Sequence, residues 1–475
     1  MASVRREFLS GVFYTSIAKY SGVVVQIVIT SILARLLTPS DFGIVAIATV
    51  LIQFFNTLSE AGIGPAIIQK KQLNKREIES IFSVTVLLGV LLMVAFFSTS
   101  HMIASYYGNN ELIGVCQWLS LLILFSSLDI VPNSLLLKQK RFKLISYRTL
   151  ITQILTGALS VFVAYHGWGL YALVLSAILS KAMVFFTNYF YNPLKIVFSL
   201  KGVSEIKSYS LYQFSFNMVN YFARNFDKMI VGKYIGLSPL GYYEKSYRLM
   251  MLPLNNITFV ISPVMHPIFS NFQNQKDEML SKYLKLLKVM SCLSFPAMIF
   301  LFFSARELVL IFFGSQWEKA ISSFQILSLT VALQVLVSSS GGLFQSLNYT
   351  KGLFLSGLVS AVFMLGGFYL SAITYGTIEA VAVSYVITCT ISGIFAFELL
   401  FKKLNSPISR FFKSIHPGIV LTALLLPVMI ICQLLTGELN MIITLAIKVL
   451  LVSCISLTYL SYVKIINIKE RKLDL

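Results

Sequence analysis

The chain contains fourteen apolar stretches of about 20 residues, the length at which a helix crosses the hydrocarbon core of a bilayer. Of its 475 residues 57% are hydrophobic and only 12% are charged. A water-soluble domain could not cover its surface with so few charged groups. We therefore predict an all-α, polytopic membrane protein of about 14 transmembrane helices. The predicted spans are 10–36, 41–61, 79–102, 112–136, 147–165, 169–191, 209–235, 240–268, 284–304, 320–345, 352–374, 380–400, 415–436 and 440–463.

Most of the 38 Lys and Arg residues fall in alternate gaps between these stretches, beginning with Arg5 and Arg6. The gap between the fourth and fifth stretches, counted with the first residues of the fifth, is the richest and carries Lys138, Lys140, Arg141, Lys143 and Arg148. Cytoplasmic loops of membrane proteins have such an excess of positive charge. We therefore expect both termini in the cytoplasm and the protein in the cytoplasmic (inner) membrane. The formal net charge of +19 then orients the chain, and we expect no nucleic-acid partner.

Several simpler functions are not favoured by the residue pattern. The five cysteines lie far apart and the four histidines show no metal-ligand spacing, so we expect neither a metal site nor another cofactor. The first apolar stretch follows two arginines as a signal peptide would. However, it is long, is interrupted by Lys19 and lacks a small-residue cleavage pattern, so we expect it to be retained as the first helix.

Two sequence echoes indicate an internal repeat. The segment ARLLTPSDFGI from Ala34 to Ile44 resembles GKYIGLSPLGY from Gly232 to Tyr242, 198 residues later. A second pair of segments ends in LSL at Leu121 and at Leu329. Six spans separate the members of each pair, so the two halves should have the same orientation in the membrane. We predict two parallel-related six-helix lobes, 1–200 and 201–405, followed by two additional helices and a cytoplasmic tail in 406–475.

Ionisable side chains inside the predicted spans are the candidate functional residues, because an ionised group at mid-bilayer costs at least ~2.5–3.5 kcal/mol. We expect the substrate to be bound by Lys19, Arg224, Lys228, Arg248 and Asn217. We expect charge tuning, or coupling to H⁺ or Na⁺, from Glu60, Asp227 and Glu244. Further intramembrane charges are Asp129, Lys181 and Lys448. The net positive sign of these groups indicates an anionic passenger.

Simpler explanations exist for part of this set. Arg224 and Asp227 are three residues apart and could form an ion pair that only holds one helix to its neighbours. Lys233, Lys245 and Lys448 could extend to the lipid headgroups. The paired tyrosines Tyr242 and Tyr243 favour anchoring at the membrane interface over stacking on a sugar.

The loops favour transport over catalysis. They are short and show no pair of carboxylates on the non-cytoplasmic side that could act as acid and base. The chain also lacks a GxxxxGK[ST] phosphate loop, so any energy input would come from an ion gradient or from the substrate gradient. We therefore predict that the protein is not an enzyme.

Five segments resemble the polysaccharide flippases of the multidrug/oligosaccharidyl-lipid/polysaccharide exporter superfamily, in the lipopolysaccharide and exopolysaccharide branch. They are RLLTPSDFGIVAIA (35–48), LLLKQKRFK (135–143), NFDKMIVGKYIGLSPLGYYEKSYRLMMLP (225–253), PVMHPIFSNFQ (263–273) and FGSQWEKAISSFQILSL (313–329). The resemblance implies two six-helix lobes that alternate between inward-facing and outward-facing states. It also implies a substrate, an oligosaccharide repeat unit linked through pyrophosphate to a polyprenyl lipid, whose negative charge would meet Arg224, Lys228 and Lys19.

The leading hypothesis is thus a flippase that moves a polyprenyl-pyrophosphate-linked oligosaccharide across the membrane for surface polysaccharide or lipopolysaccharide biosynthesis. One alternative is a drug or ion antiporter of the same superfamily, which would need an acidic cavity for cationic drugs. The other is a membrane polymerase or ligase of the same glycan pathway, which would need a larger outer loop.

Overall fold

The regular structure of this chain is almost entirely helical. The computed structural model describes residues 2–60, 62–70, 73–197, 218, 221–222, 225–270, 272, 275–437, 439–463, 466–467 and 472–473. By its internal contacts the chain divides into two compact units, 1–241 and 242–475. One small antiparallel pair, β1 (Ile466–Asn467) with β2 (Lys472–Leu473), lies near the C-terminus. The prediction of an all-α membrane protein is confirmed, whereas the lobe boundaries at 200 and 405 stay a prediction.

The first unit begins with seven helices. They are α1 (Ala2–Leu36), α2 (Pro39–Glu60), α3 (Ile63–Gln69), α4 (Lys75–Tyr107), α5 (Glu111–Lys138), α6 (Phe142–Tyr165) and α7 (Tyr171–Tyr191). Residues 225–230 are also helical and lead into a π-helical turn at Val231–Ile235. Helix α5 lies at the centre of this packing, since it contacts α2, α3, α4 and α7, while α6 packs along α1.

Helix α8 (Leu237–Ser270) crosses from the first unit into the second. The second unit continues with α9 (Lys276–Phe303), α10 (Ala305–Phe313), α11 (Ala320–Ser328), α12 (Val331–Ser346), α13 (Thr350–Tyr375), α14 (Ile378–Lys403), α15 (Ser409–Leu435) and α16 (Met441–Tyr462). The two C-terminal helices pack on the unit through α9, which contacts α15 along much of its length. Leu421, Leu425 and Met429 of α15 are fully buried there with Ile299.

The helix ends follow local sequence signals. At the start of α4 the Glu77 carboxylate accepts the Asn74 backbone N–H at 2.9 Å, which satisfies a donor that the helix leaves open. Helices α4 and α13 end at Gly108 and Gly376, whose φ angles of 69° and 62° are left-handed and cost glycine little. Thr377 then begins α14 by accepting the Ala380 N–H at 3.3 Å. Polar residues at these turns therefore separate the apolar helices.

The number of spans that can be counted is smaller than predicted. Eleven helical segments among the described residues are long and apolar enough to cross a membrane, and α11 with α12 forms a twelfth that is bent by 49°. About half of the seventh predicted span, 209–235, lies outside the described residues. Helix α8, which contains the eighth, is not among the eleven. The polytopic architecture is thus confirmed, but the count of fourteen is not.

The first echo of the internal repeat forms a close backbone contact inside the first unit. A Cβ placed on Gly43 would lie 1.7 Å from the Leu237 carbonyl oxygen, and one on Gly241 would lie 2.0 Å from the Pro39 carbonyl oxygen. Gly43 and Gly241 are 198 residues apart, and so are Pro39 and Leu237. The two repeat turns therefore meet reciprocally, and both positions require glycine because no side-chain atom fits between the backbones.

The second echo is accompanied by two identical turns. Lys140, between α5 and α6, and Asn348, between α12 and α13, have φ angles of 55° and 50°. In each turn this residue donates its N–H three residues back, to Leu137 and Gln345 respectively, at 3.0 Å. The separation of 208 residues is the same as that between Leu121 and Leu329. The spacing of the predicted repeat therefore recurs in the backbone conformation of these two turns as well as in the amino-acid sequence.

Candidate functional site

Lys19 lies on the face of α1 that packs against α6. One turn farther along α1, the Gly22 carbonyl accepts a hydrogen bond from Gln153 Nε2 of α6 at 2.9 Å. Lys19 itself is half-buried. A long polar side chain at Gln153 can reach α1 because Gly22 has none, and a Cβ there would lie only 3.0 Å from Gln153 Oε1. Lys19 is thus a partly buried cation one helical turn from a polar contact between α1 and α6.

Glu60 ends α2 at the point where the chain turns into the short helix α3. Gly62 has a left-handed φ of 71°, which permits this turn. A Cβ on Gly64 would lie 3.8 Å from Glu60 Oε1 and 3.1 Å from Ser134 Oγ, so the carboxylate lies close to the α3 backbone. Glu60 is exposed. The Glu60 carboxylate is therefore an exposed charge at the junction of α2 and α3.

Asp227 and Lys228 lie in the helical residues 225–230. Asp227 is 2% exposed and Lys228 is partly buried. This part of the chain is tied to α2 by Tyr221, whose hydroxyl donates to the Val50 carbonyl at 2.6 Å. Both charged residues are therefore inside the first unit. The predicted partners Arg224 and Asn217 lie outside the described residues.

The structure shows a buried polar network that sequence reasoning missed. Asn188 of α7 is fully buried and donates from Nδ2 to Asp129 Oδ1 of α5 at 2.6 Å. Arg148 of α6 donates from Nη1 to the Asn188 side-chain oxygen and, at 3.3 Å, to Asn133 Oδ1. We expected Arg148 in a loop, which is wrong: it lies six residues inside α6. An amide thus links a carboxylate and a guanidinium on three helices.

In the second unit two predicted site residues are in direct contact. Arg248 Nε lies 2.8 Å from Glu244 Oε1, one helical turn earlier on α8. The Arg248 side chain is 55% exposed, whereas that of Glu244 is 10% exposed. The pair is therefore asymmetric, with a carboxylate held in the protein and a guanidinium that also reaches its surface.

Two lysines that we expected to extend to the headgroups are buried instead. Lys245 is 1% exposed and its ammonium lies 5.2 Å and 5.6 Å from the ring centroids of Phe313 and Trp317. Lys448 is fully buried and donates to the Phe303 carbonyl and to Glu307 Oε1. The prediction of snorkelling is wrong for both, because α10 and the turn after it cover this region with aromatic and acidic groups that the ammonium can contact. We had read 305–319 as a simple loop.

A group of aromatic rings lies beside Arg248 on α8. Tyr243 stacks on Tyr247 with ring centroids 6.4 Å apart, and Tyr247 meets Tyr385 of α14 edge to face at 6.0 Å. Tyr385 in turn stacks on Phe368 of α13 at 5.9 Å. Tyr243 is fully buried, so the expected interfacial anchoring is wrong for that residue. The rings instead tie α8 to α13 and α14.

These arrangements place several ionisable and amide groups inside or partly inside the two helical units. In the first unit they are Lys19, Asp129, Arg148, Asp227 and Lys228. In the second unit they are Glu244, Lys245, Arg248 and Lys448. Charged groups at such positions bind one another or line a path for polar cargo. The groups described here can do both, because Arg148 and Lys448 have protein partners while the Arg248 side chain is also exposed.

Comparisons with known proteins agree with this architecture. The family model described as polysaccharide biosynthesis protein matches residues 32–322. The teichuronic acid biosynthesis protein TuaB of Bacillus subtilis is 25% identical over 89% of this chain and 88% of its own. The succinoglycan biosynthesis transport protein ExoT of Rhizobium meliloti is 24% identical over 78% of this chain and 74% of its own. Among solved structures, the lipid II flippase MurJ in an inward closed conformation superposes with a TM-score of 0.75, at 17% identity, over 94% of this chain and 98% of MurJ.

Proposed function

This chain belongs to the polysaccharide biosynthesis protein family and is a polysaccharide flippase of the multidrug/oligosaccharidyl-lipid/polysaccharide exporter superfamily, and from this premise we propose its cargo. The cargo is an oligosaccharide repeat unit linked through a diphosphate to a polyprenyl lipid. The protein moves it from the cytoplasmic to the outer leaflet without making or breaking a covalent bond. A relative named as a biosynthesis transport protein and a structural neighbour named as a lipid II flippase support this cargo class. The drug antiporter alternative is not favoured.

The observation that carries this proposal is the set of cations held on the long helices, above all the exposed guanidinium of Arg248 on α8. A diphosphate offers several anionic oxygens, and an arginine can bind two of them at once. In a site of low dielectric such contacts are stronger than in water. Lys19 and Lys228 supply further positive charge at partly buried positions. The polyprenyl chain needs no such contacts, because it can remain in the surrounding lipid.

The ion pair of Arg248 with Glu244 suggests how binding is coupled to an ion. When Arg248 turns to the diphosphate, the largely buried Glu244 carboxylate loses its contact with the guanidinium. A carboxylate left in an apolar environment takes up a proton or another cation. We assign this exchange to Glu244, with Asp227 and Glu60 as the corresponding groups of the first unit. The coupling ion is then H⁺ or Na⁺.

The orientation in the membrane follows from the basic loops. Both termini lie in the cytoplasm in this proposal, and the membrane is the cytoplasmic (inner) membrane. In that topology the turns α3–α4, α5–α6, α12–α13 and α14–α15 are cytoplasmic, and each carries at least one lysine in the turn or in the adjoining helix end.

The test is transfer of a lipid-linked oligosaccharide between leaflets of proteoliposomes. The cargo is radiolabelled, and a membrane-impermeant glycosidase reports the fraction that has reached the opposite leaflet. We expect the wild-type protein to speed transfer and Arg248→Ala and Lys19→Ala to slow it by about tenfold, the effect of losing one charge-assisted contact. Lys402→Ala, an exposed cation at the end of α14, is the control and should transfer as the wild type does. Absence of transfer by a folded wild-type protein would refute the proposed cargo.

A further inference from the structure

The turn between α5 and α6 carries an unusual concentration of positive charge. Lys138, Lys140, Arg141 and Lys143 fall within six residues, which we call the basic turn. We propose that the basic turn is a first binding site for the diphosphate of the lipid-linked cargo, at the cytoplasmic leaflet, before the cargo reaches the residues inside the membrane. This inference rests on the flippase function proposed above.

The internal repeat provides a reference for the basic turn. The corresponding turn between α12 and α13 has the same hydrogen bonds, with Asn348 N–H donating to Gln345 and Tyr349 N–H donating to Phe344. It carries a single cation, Lys351. In the proposed topology both turns face the cytoplasm, so orientation by positive charge applies equally to both. The additional positive charge of the basic turn therefore has another purpose, which is to bind an acidic ligand.

The backbone at Lys140 points to the same conclusion. Its φ of 55° is left-handed, a conformation that asparagine and glycine adopt far more easily than lysine. At the two other described turns with a non-glycine residue in this conformation, that residue is an asparagine, Asn348 and Asn405. Lysine thus occupies a position whose left-handed backbone conformation its side chain disfavours. Strain of this kind persists where the side chain serves a function.

Contacts with neighbouring helices hold the basic turn in place. Gln139 Nε2 donates to Asn192 Oδ1 at 3.1 Å, at the end of α7. The Arg141 guanidinium lies 6.0 Å above the ring centroid of Tyr191, also on α7. Lys138 donates from Nζ to the Lys70 carbonyl at the end of α3. The ends of two other helices, α7 and α3, therefore hold the turn, while the side chains of Lys140 and Arg141 stay exposed.

The side chains of the basic turn fit a diphosphate better than a single phosphate. Arg141 presents a planar fork that binds two phosphate oxygens, and the neighbouring Lys140 adds a point charge for the second phosphoryl group. The basic turn is continuous with a helix that runs into the first unit. Helix α6 begins at Phe142, and Arg148 lies six residues along it, about 9 Å from its start. Helix α6 packs along α1, which carries Lys19. A headgroup bound at the turn is thus next to the helices that hold the intramembrane cations.

The repeat also supplies the variant that tests this inference. Lys140→Asn installs the residue found at Asn348, which relieves the left-handed backbone, so the fold should be at least as stable as in the wild type. Farnesyl diphosphate is titrated into the full-length protein in phosphatidylcholine nanodiscs, and its dissociation constant is measured by thermophoresis. We expect about fivefold weaker binding for Lys140→Asn and about 25-fold for Lys140→Asn with Arg141→Gln. The matched control is Lys402→Asn, an exposed cation at another turn of the same face, with an affinity within about twofold of wild type.

Each other outcome has a defined meaning. If the wild type binds farnesyl diphosphate and the double variant binds it equally well, the basic turn is not the site, although the proposed cargo stands. If the wild type does not bind it at all, both proposals fail. A third arm adds phosphatidylglycerol to the nanodiscs and measures its retention on the protein by native mass spectrometry. Loss of that retention in the double variant, with unchanged affinity for farnesyl diphosphate, would assign the turn to bilayer headgroups and overturn the inference.

Discussion

Lys448 of α16 donates from Nζ to Glu307 Oε1 of α10 at 2.7 Å, and neither side chain is accessible to any large extent. The same ammonium donates to the Phe303 carbonyl at the end of α9 at 2.6 Å. These contacts join the last helix of the chain to the segment between α9 and α11. The two C-terminal helices are therefore an integral part of the second unit, through a charge pair as well as through the apolar contacts of α15.

Breaking this pair on one side should be strongly destabilising. Lys448→Met leaves the Glu307 carboxylate buried without its cation, and we expect a loss of about 3–5 kcal/mol of stability. The thermal midpoint of the detergent-solubilised protein measures it. Adding Glu307→Leu to the same chain removes the orphaned charge and should recover most of the loss. The exposed pair of Arg306 with Glu318, at 3.4 Å, is the control, and Arg306→Met should cost less than about 1 kcal/mol.

The reciprocal contact of the repeat turns predicts two sensitive glycines. Gly43→Ala and Gly241→Ala each place a methyl group within 2.0 Å of a carbonyl oxygen, so the backbones must separate. We expect each variant to lower the stability of this conformation by about 1–3 kcal/mol. Gly366→Ala in α13 is the control, because a Cβ there meets no atom within 4 Å. Equal thermal midpoints for Gly43→Ala and Gly366→Ala would contradict the close approach.

The hydrogen-bond network that joins α5, α6 and α7 predicts different losses of stability for different substitutions of Asn188. Asn188→Ala removes the amide that links Asp129 to Arg148, and we expect a cost of about 2–4 kcal/mol because both partners are left without it. Asn188→Asp keeps the acceptor for Arg148 but brings a second carboxylate next to Asp129, so its stability should fall as the pH rises. Thermal midpoints at two pH values distinguish the variants. A pH-independent midpoint for Asn188→Asp would argue against direct contact with Asp129.

Substitutions of Arg248 and Glu244 on α8 allow cargo binding and ion coupling to be tested separately. Arg248→Ala should weaken transport at every ion gradient, because the cation that contacts the cargo is lost. Glu244→Gln should keep cargo binding but remove the dependence of transport on the driving ion, since an amide cannot exchange a proton. Leaflet transfer measured with and without a proton or sodium gradient tests both variants. The assignment of Glu244 fails if Glu244→Gln responds to the gradient as the wild type does.

Much of this architecture could be predicted from composition and spacing. Apolar stretches of bilayer length appear as helices. The glycines of the first echo, Gly43 and Gly241, lie in close backbone contact, and the turns at Lys140 and Asn348 share one backbone conformation at the spacing of the second echo. The errors concern single side chains. Arg148 was counted with the basic loop because it follows a run of lysines and arginines, although it lies six residues inside α6. Lys245 and Lys448 were assigned to the headgroups because their burial depends on α10, which no periodic signal in 305–319 indicated.

The sequence by itself determined the class of the protein, because hydrophobic length and the distribution of basic residues depend only on the order of residues along the chain. It also indicated that Asp129 and Lys448 lie within helices long enough to cross a membrane. Only the tertiary structure decided the partners of those groups: Glu307 for Lys448, Asn188 between Asp129 and Arg148, and aromatic rings for Lys245. The physical reason is that the energy of a buried charge is set by atoms a few ångströms away, and those atoms come from helices remote in the sequence.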